Sequence, residues 1–252
     1  MAEGPVSMSF DGQAVVIIGA SAGIGEATAA EFAARGAAVT ITGRSTERLK
    51  AAAGRIGRDV TVAEVDATDR AALDSFFGVT GAVDHLVLAA SPGAVGVGPF
   101  ATLDEAALRA AFDGKFFAHV LALQAALPYL RDSGSVTFVT AASARAAFAG
   151  TAGIAAVNGA LETIVPTLAV ELAPLRVNAV SPGVIDTHWW NMMPADQRRE
   201  YFDAVAGVSP ARRVGTAPDI ASAVVYLAGA GFVTGTVLEC TGGAQLTAAA
   251  LG

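Results

Sequence analysis

The chain has 252 residues, 53% of them hydrophobic, and a formal charge of −7, which excludes general disorder and fits one domain with a substantial core. The basic residues are scattered, so a nucleic-acid partner is excluded, and Cys240 is the only cysteine, which excludes a disulfide framework and leaves no metal cluster to expect. Met1–Phe10 lacks the pattern of an export signal, and no stretch reaches 18 uninterrupted apolar residues, so a soluble, cytoplasmic protein without a membrane partner is expected.

Short β-rich apolar runs alternate with longer stretches of helical period. The predicted strands are Ala14–Gly19, Ala38–Thr42, Val60–Val65, His85–Ala90, Ser135–Thr140 and Arg176–Val180. Between them the periodicity predicts helices over Gly23–Arg35, Thr46–Ala53, Arg70–Phe77, Leu103–Leu130 and Thr151–Leu172. This order implies a Rossmann-type, doubly wound α/β fold, a parallel sheet with helices on both faces, with residues 1–252 as a single dinucleotide-binding domain. From Pro182 to Pro218 the periodicity fails, and the stretch 187–213, which carries Trp189, Trp190, Met192, Met193 and Tyr201, reads as a lid-like insertion over a pocket.

The first strand runs into Gly19-Ala20-Ser21-Ala22-Gly23-Ile24-Gly25. Glycines at such a strand-to-helix turn let the backbone approach a pyrophosphate, which the free N–H groups and positive end of the helix then bind. At the tip of the second strand an acidic residue would bind a free ribose 2′-hydroxyl, whereas an Arg accommodates a 2′-phosphate. Arg44, with Ser45 beside it and Arg48 one turn on, argues for NADP(H).

The glycine loop, Asp66 in Val65-Asp66-Ala67, the run Arg176 to Thr187, and the ending Thr234-Gly235 with Thr241-Gly242-Gly243 together resemble the classical short-chain dehydrogenase/reductase family over nearly the whole chain. The resemblance implies that Ser21, Ala22 and Ile24 join the glycines around the phosphates. It also implies that Asp66 and Ala67 meet the adenine, that Ala89 and Ala90 pass beneath the ribose, and that Pro182, Gly183, Ile185 and Thr187 flank the nicotinamide. Where the family has Asn-Asn-Ala-Gly, this chain reads Leu88-Ala89-Ala90-Ser91, a change expected to weaken the local sheet more than cofactor binding.

The resemblance further implies a catalytic Tyr, a Lys four residues later, a Ser and an Asn. Those positions hold Ile154, Asn158, Ala141 and Lys115. Asn158 is expected to bind a ribose hydroxyl in place of the Lys, and Lys115, one of two lysines, to bring back positive charge from the opposite wall. Ser143 and Thr140 are alternative hydroxyl donors, His188 and Tyr201 alternative acids, and His85 and His119 are read as structural.

A positioned general acid contributes roughly 10²–10⁴ in rate, so its loss would cripple reduction of an unactivated ketone but matter far less for an imine, quinone or enone. The expectation is an NADP(H)-dependent oxidoreductase with a non-standard site: Lys115, Asn158 and Ser143 as catalytic candidates, and Ala141, Ile154, His188, Trp189, Trp190 and Met193 lining an apolar pocket for a small, flat or aromatic substrate. The alternative is a catalytically inactive NADP(H)-binding sensor or scaffold subunit. A lyase or isomerase is a third class. The resemblance also implies a homodimer or homotetramer.

Overall fold

The computed structural model describes residues 8–246. Seven parallel strands form one sheet, in the order β3-β2-β1-β4-β5-β6-β9, from β1 (Ala14–Ile18), β2 (Ala38–Gly43), β3 (Thr61–Glu64), β4 (Val83–Leu88), β5 (Leu130–Val139), β6 (Arg176–Pro182) and β9 (Val237–Cys240). Two further short strands, β7 (Ile185–Asp186) and β8 (Gly215–Thr216), pair parallel outside the main sheet. The strand order reverses between β1 and β4, and the crevice beyond the carboxyl ends of these strands is where an open α/β sheet receives ligands.

Helices cover both faces. Leu49, Ala29, Phe32, Ile220 and Val224 fill one face beneath α1 (Gly23–Ala34), α2 (Thr46–Ile56) and α8 (Ala217–Gly229). Leu73, Phe77, Ala122, Leu161 and Val165 fill the other beneath α3 (Arg70–Thr80), α5 (Ala118–Ala126) and α6 (Ala152–Glu171). Among the described residues α6 is the one helix long and apolar enough to cross a membrane, and its inner side is buried in this core.

Three features differ from expectation. The helix expected over Leu103–Leu130 begins as α4 (Glu105–Ala111), passes through a π-helical turn over Phe112–Phe117, continues as α5 and ends in a 3-10 turn, Leu127–Tyr129. The insertion contains a 14-residue helix, α7 (Ala195–Val208), in which only Val205 is buried; its sequence lacked the apolar stripe that would betray a helix. The β7–β8 pair joins the two ends of that insertion, so the segment 187–214 leaves the domain through a closed neck.

Candidate active site

The glycine loop forms a cradle that nothing larger would allow. A Cβ on Gly25 would lie 2.3 Å from the Gly19 carbonyl oxygen, and one on Gly19, where φ is +89°, would lie 2.6 Å from the Ala90 backbone. The Ala89–Ala90 segment therefore rests directly on the loop. α1 begins at Ala22 with no side-chain cap, leaving its first N–H groups for a ligand, as a pyrophosphate requires. Thr187 closes the far side: a methyl on Gly23 would touch its side chain at 3.6 Å. Gly23 thus meets Thr187, which follows Pro182 at the end of β6, Gly183, and Ile185 in β7.

Just past β3, the Asp66 carboxylate accepts from the Thr68 N–H at 2.9 Å and its hydroxyl at 2.8 Å. These bonds, the backbone one foremost, hold it below the usual carboxylate range, with Arg44 adding a weaker pull. Arg44 is exposed and outside every ion pair among the described residues, while Ala67 is buried behind it. The Ser45 hydroxyl caps α2 by accepting from the Arg48 N–H at 3.3 Å, so its first role is to start that helix. Sequence reasoning missed Glu64, which faces Gly43 across the β2–β3 register and accepts from both the N–H and the hydroxyl of Thr46.

The catalytic candidates gather at the carboxyl end of β5. The π turn carries Lys115, whose Nζ donates to the Thr140 carbonyl at 3.2 Å. Burial pulls the ammonium down to about 8, against the opposing attraction of Glu162. The Thr140 hydroxyl donates to Glu162 Oε1 at 2.9 Å, and Arg145 Nε donates to Glu162 Oε2 at 2.8 Å. Arg145 in turn reaches Glu239 on β9 at 3.0 Å. Glu162 is only 7% exposed. The signal that could have found it is the spacing Ile154, Asn158, Glu162, one face of α6 at successive turns.

Two candidates are corrected. Asn158 is 3% exposed, and its amide nitrogen donates to the Ser143 hydroxyl at 3.2 Å and the Ile154 carbonyl at 2.8 Å. It braces the start of α6 instead of presenting a donor to the cleft, although Oδ1 has no partner. Ser143, also buried, is the acceptor in that brace, within the 3-10 turn Ala142–Ala144. Ala141 and Ile154 remain partly exposed beside them, as an apolar wall should be.

The insertion carries the remaining candidates. Trp190 donates its indole N–H to the Ile185 carbonyl at 2.9 Å, and its ring packs on Tyr201 and Phe202 of α7 at 5.1 and 5.7 Å. It ties the insertion to β7 and to α7 while its ring stays partly exposed. His188 is exposed and lines a cavity of about 460 Å³ together with Gly23, Thr187, Arg55 and Arg198, beside the start of α1. Trp189 packs edge-on to Trp190 at 4.7 Å, and Met193 is partly exposed at the end of the 3-10 turn His188–Met192.

The altered segment after β4 is braced by His119. The residue is fully buried in α5, and its Nε2–H donates to the Ala90 carbonyl at 2.9 Å, tying the end of β4 to the helix. Since the carbonyl can only accept, the ring is the neutral Nε2–H tautomer. Burial first, and the Lys115 charge second, press its pKa down to about 3.

Residues 19–245 match the family model described as enoyl-(acyl carrier protein) reductase. The short-chain dehydrogenase/reductase ATR9 of Stachybotrys chlorohalonatus is 30% identical over 255 residues, covering 93% of this chain and 98% of the relative. The chain belongs to the short-chain dehydrogenase/reductase family. Among solved structures, a small-chain dehydrogenase in complex with NADPH is 31% identical, with a TM-score of 0.79 over 94% of this chain and all of that one. MalC reductase/Diels-Alderase from Malbranchea aurantiaca is 28% identical, with a TM-score of 0.87 over 94% of this chain and 98% of that one. Family membership fits a nicotinamide cofactor to the cradle described above.

Proposed function

We propose that this short-chain dehydrogenase/reductase is an NADP(H)-dependent reductase of an activated acceptor, a quinone, enone or imine, working without the family's tyrosine acid. The observation that carries the reading is Lys115: a cation held at the carboxyl end of β5 against Thr140, beside the apolar wall of Ala141 and Ile154. Arg44 at the tip of β2 supports the 2′-phosphate, and the NADPH in a related structure is consistent with it. The bound cofactor supplies hydride.

The chain's own residues then do little covalent work. Gly19, Gly23 and Gly25 hold the pyrophosphate, and Pro182 to Thr187 bound the far side of the cleft. Lys115 stabilises negative charge that develops on an acceptor oxygen and, with a value about 8, can return a proton to it near neutral pH. Ile154 exposes no donor, so an acceptor must be electrophilic before it binds.

The inactive sensor or scaffold remains the second reading, favoured by the burial of Asn158 and Ser143 away from the cleft. MalC, a reductase/Diels-Alderase of the same fold, supports the third, non-redox class as a further reading. We further propose a cytoplasmic homodimer or homotetramer, with exposed Phe117 and Val170 on the long helices as contact residues. The test is oxidation of NADPH and of NADH with matched ketones, imines, quinones and enones. Turnover confined to the activated acceptors and NADPH supports the reading; tight NADPH binding without turnover favours the sensor.

A further inference from the structure

Glu162 is a carboxylate withdrawn from water on the face of α6 that looks toward β5, and nothing in the site described so far assigns it a task. A buried carboxylate is costly unless its oxygens are matched by donors, and both are: Oε1 by the Thr140 hydroxyl at 2.9 Å, Oε2 by Arg145 Nε at 2.8 Å. Thr140 is therefore engaged twice. Its hydroxyl donates to Glu162 while its carbonyl accepts from Lys115 at 3.2 Å, and the hydroxyl also lies 3.1 Å from the Val180 carbonyl.

We propose that Glu162 is a positioning residue for Lys115: by fixing Thr140 it sets where the ammonium sits, and by its charge it keeps that ammonium protonated beside the cleft. The inference rests on the reading of Lys115 as the working cation and extends it to the group that controls it. The geometry also explains why a lysine is tolerated on this helix. Within the family's frame the positive charge has left position 158, and a negative charge stands one turn further along the same helix, linked to the cation through Thr140.

The charged groups around Lys115 come from several elements. Asp113 and His119 share its helix, Glu162 on α6 acts on it through charge and through their common partner Thr140, and Arg145 and Glu239 stand behind Glu162 from the segment after β5 and from β9. Asp113 is exposed, and His119, with a value about 3, is neutral throughout the range in which Lys115 titrates. The Lys115 charge is pulled up by Glu162 and pushed down by burial. Arg145 competes for the same carboxylate.

The opposite signs make a test. The chain has only two lysines, Lys50 and Lys115, so ¹³C,¹⁵N-lysine labelling gives two side-chain titration curves, with exposed Lys50 as the internal reference. In the full-length protein the Lys115 midpoint is expected near 8. In Glu162→Gln, which keeps an oxygen for Thr140 but removes the charge, it should fall by about one pH unit. In Arg145→Gln, a change at a half-exposed side chain, it should rise. An unmoved midpoint in a folded Glu162→Gln protein overturns the proposal; if that variant does not fold, a fall or no change in Arg145→Gln overturns it.

This readout requires no turnover, so it separates the two claims. A shifted titration in a protein without reductase activity would leave the Glu162–Lys115 coupling standing and defeat the proposed function. In an active enzyme, the alkaline limb of kcat/KM should follow the same shifts, with NADPH affinity unchanged in both variants.

Discussion

His119 and Lys115 lie one turn apart on the same helix and serve opposite ends. His119 is neutral and closed in by Ala90, while Lys115 is charged and turned toward Thr140. Replacing His119 by Leu strands the Ala90 carbonyl, and an unpaired buried carbonyl costs about 1–3 kcal/mol. Urea denaturation at pH 7.5 should show that loss, with partial recovery in His119→Gln, whose amide can donate. Equal stability of the Leu variant would mean that the segment after β4 needs no brace.

At this scale the sequence was most legible where the backbone itself demands a residue. Gly19 and Gly25 were readable because no side chain fits the cradle. Asn158 was misjudged because the expected role was transferred by position, whereas its amide is turned inward to Ser143 and the Ile154 carbonyl. Glu162 went unnoticed for the same reason: the spacing that places it on the Asn158 face was visible, but the partner that gives it meaning is on another strand.

Elements followed from periodicity along most of the sheet, although α8, buried on one side, was not read from the sequence. β1, β2, β4 and β6 emerge close to their expected bounds, because a strand covered on both sides must be continuously apolar, and so do α1, α2, α3 and α6. α7 and β9 did not emerge. The former is nearly all exposed, and the latter is four residues long and only half-buried. The π turn is set by tertiary contact of Lys115 with β5, which no local pattern encodes; such turns often mark functional sites.

The β1–α1 junction makes the sharpest element-scale prediction. Gly25→Ala forces a methyl to 2.3 Å from the Gly19 oxygen, so the loop or the helix start must move. NADPH affinity, by fluorescence titration, should weaken by about tenfold or more, with an overpacking cost of about 1–3 kcal/mol. Unchanged affinity would contradict the cradle.

For the whole molecule, two buried histidines tie stability to pH. His85, held between Ser135 at 2.8 Å and Gln13 at 2.6 Å, is pressed down to about 4, chiefly by burial. His119 is pressed to about 3. Both folded values lie below the unfolded value near 6.5, so the unfolded chain binds more protons as pH falls through 6.5. Their stabilising contribution is therefore present above 6.5 and is lost progressively down to about 4 and about 3. Each histidine contributes a slope of up to about 1.4 kcal/mol per pH unit, so unfolding free energy should drop by on the order of 3–4 kcal/mol between pH 6.5 and 5. A flat profile in urea denaturation would contradict the buried, neutral assignment of both rings.

The fold thus delivers a glycine cradle, a crevice at the switch point of the sheet, and a lysine held against Thr140 at the carboxyl end of β5. Its central claim is that Lys115 carries the chemistry. The most direct measurement is single-turnover oxidation of bound NADPH by a quinone or enone from pH 6 to 10, in the wild-type protein and in Lys115→Met. The wild-type rate should fall above pH 8 as the ammonium loses its proton, and the variant should be slower by about 10²-fold at pH 7 with that fall abolished. A Lys115→Met protein that matches the wild-type rate and keeps the same fall would contradict the account.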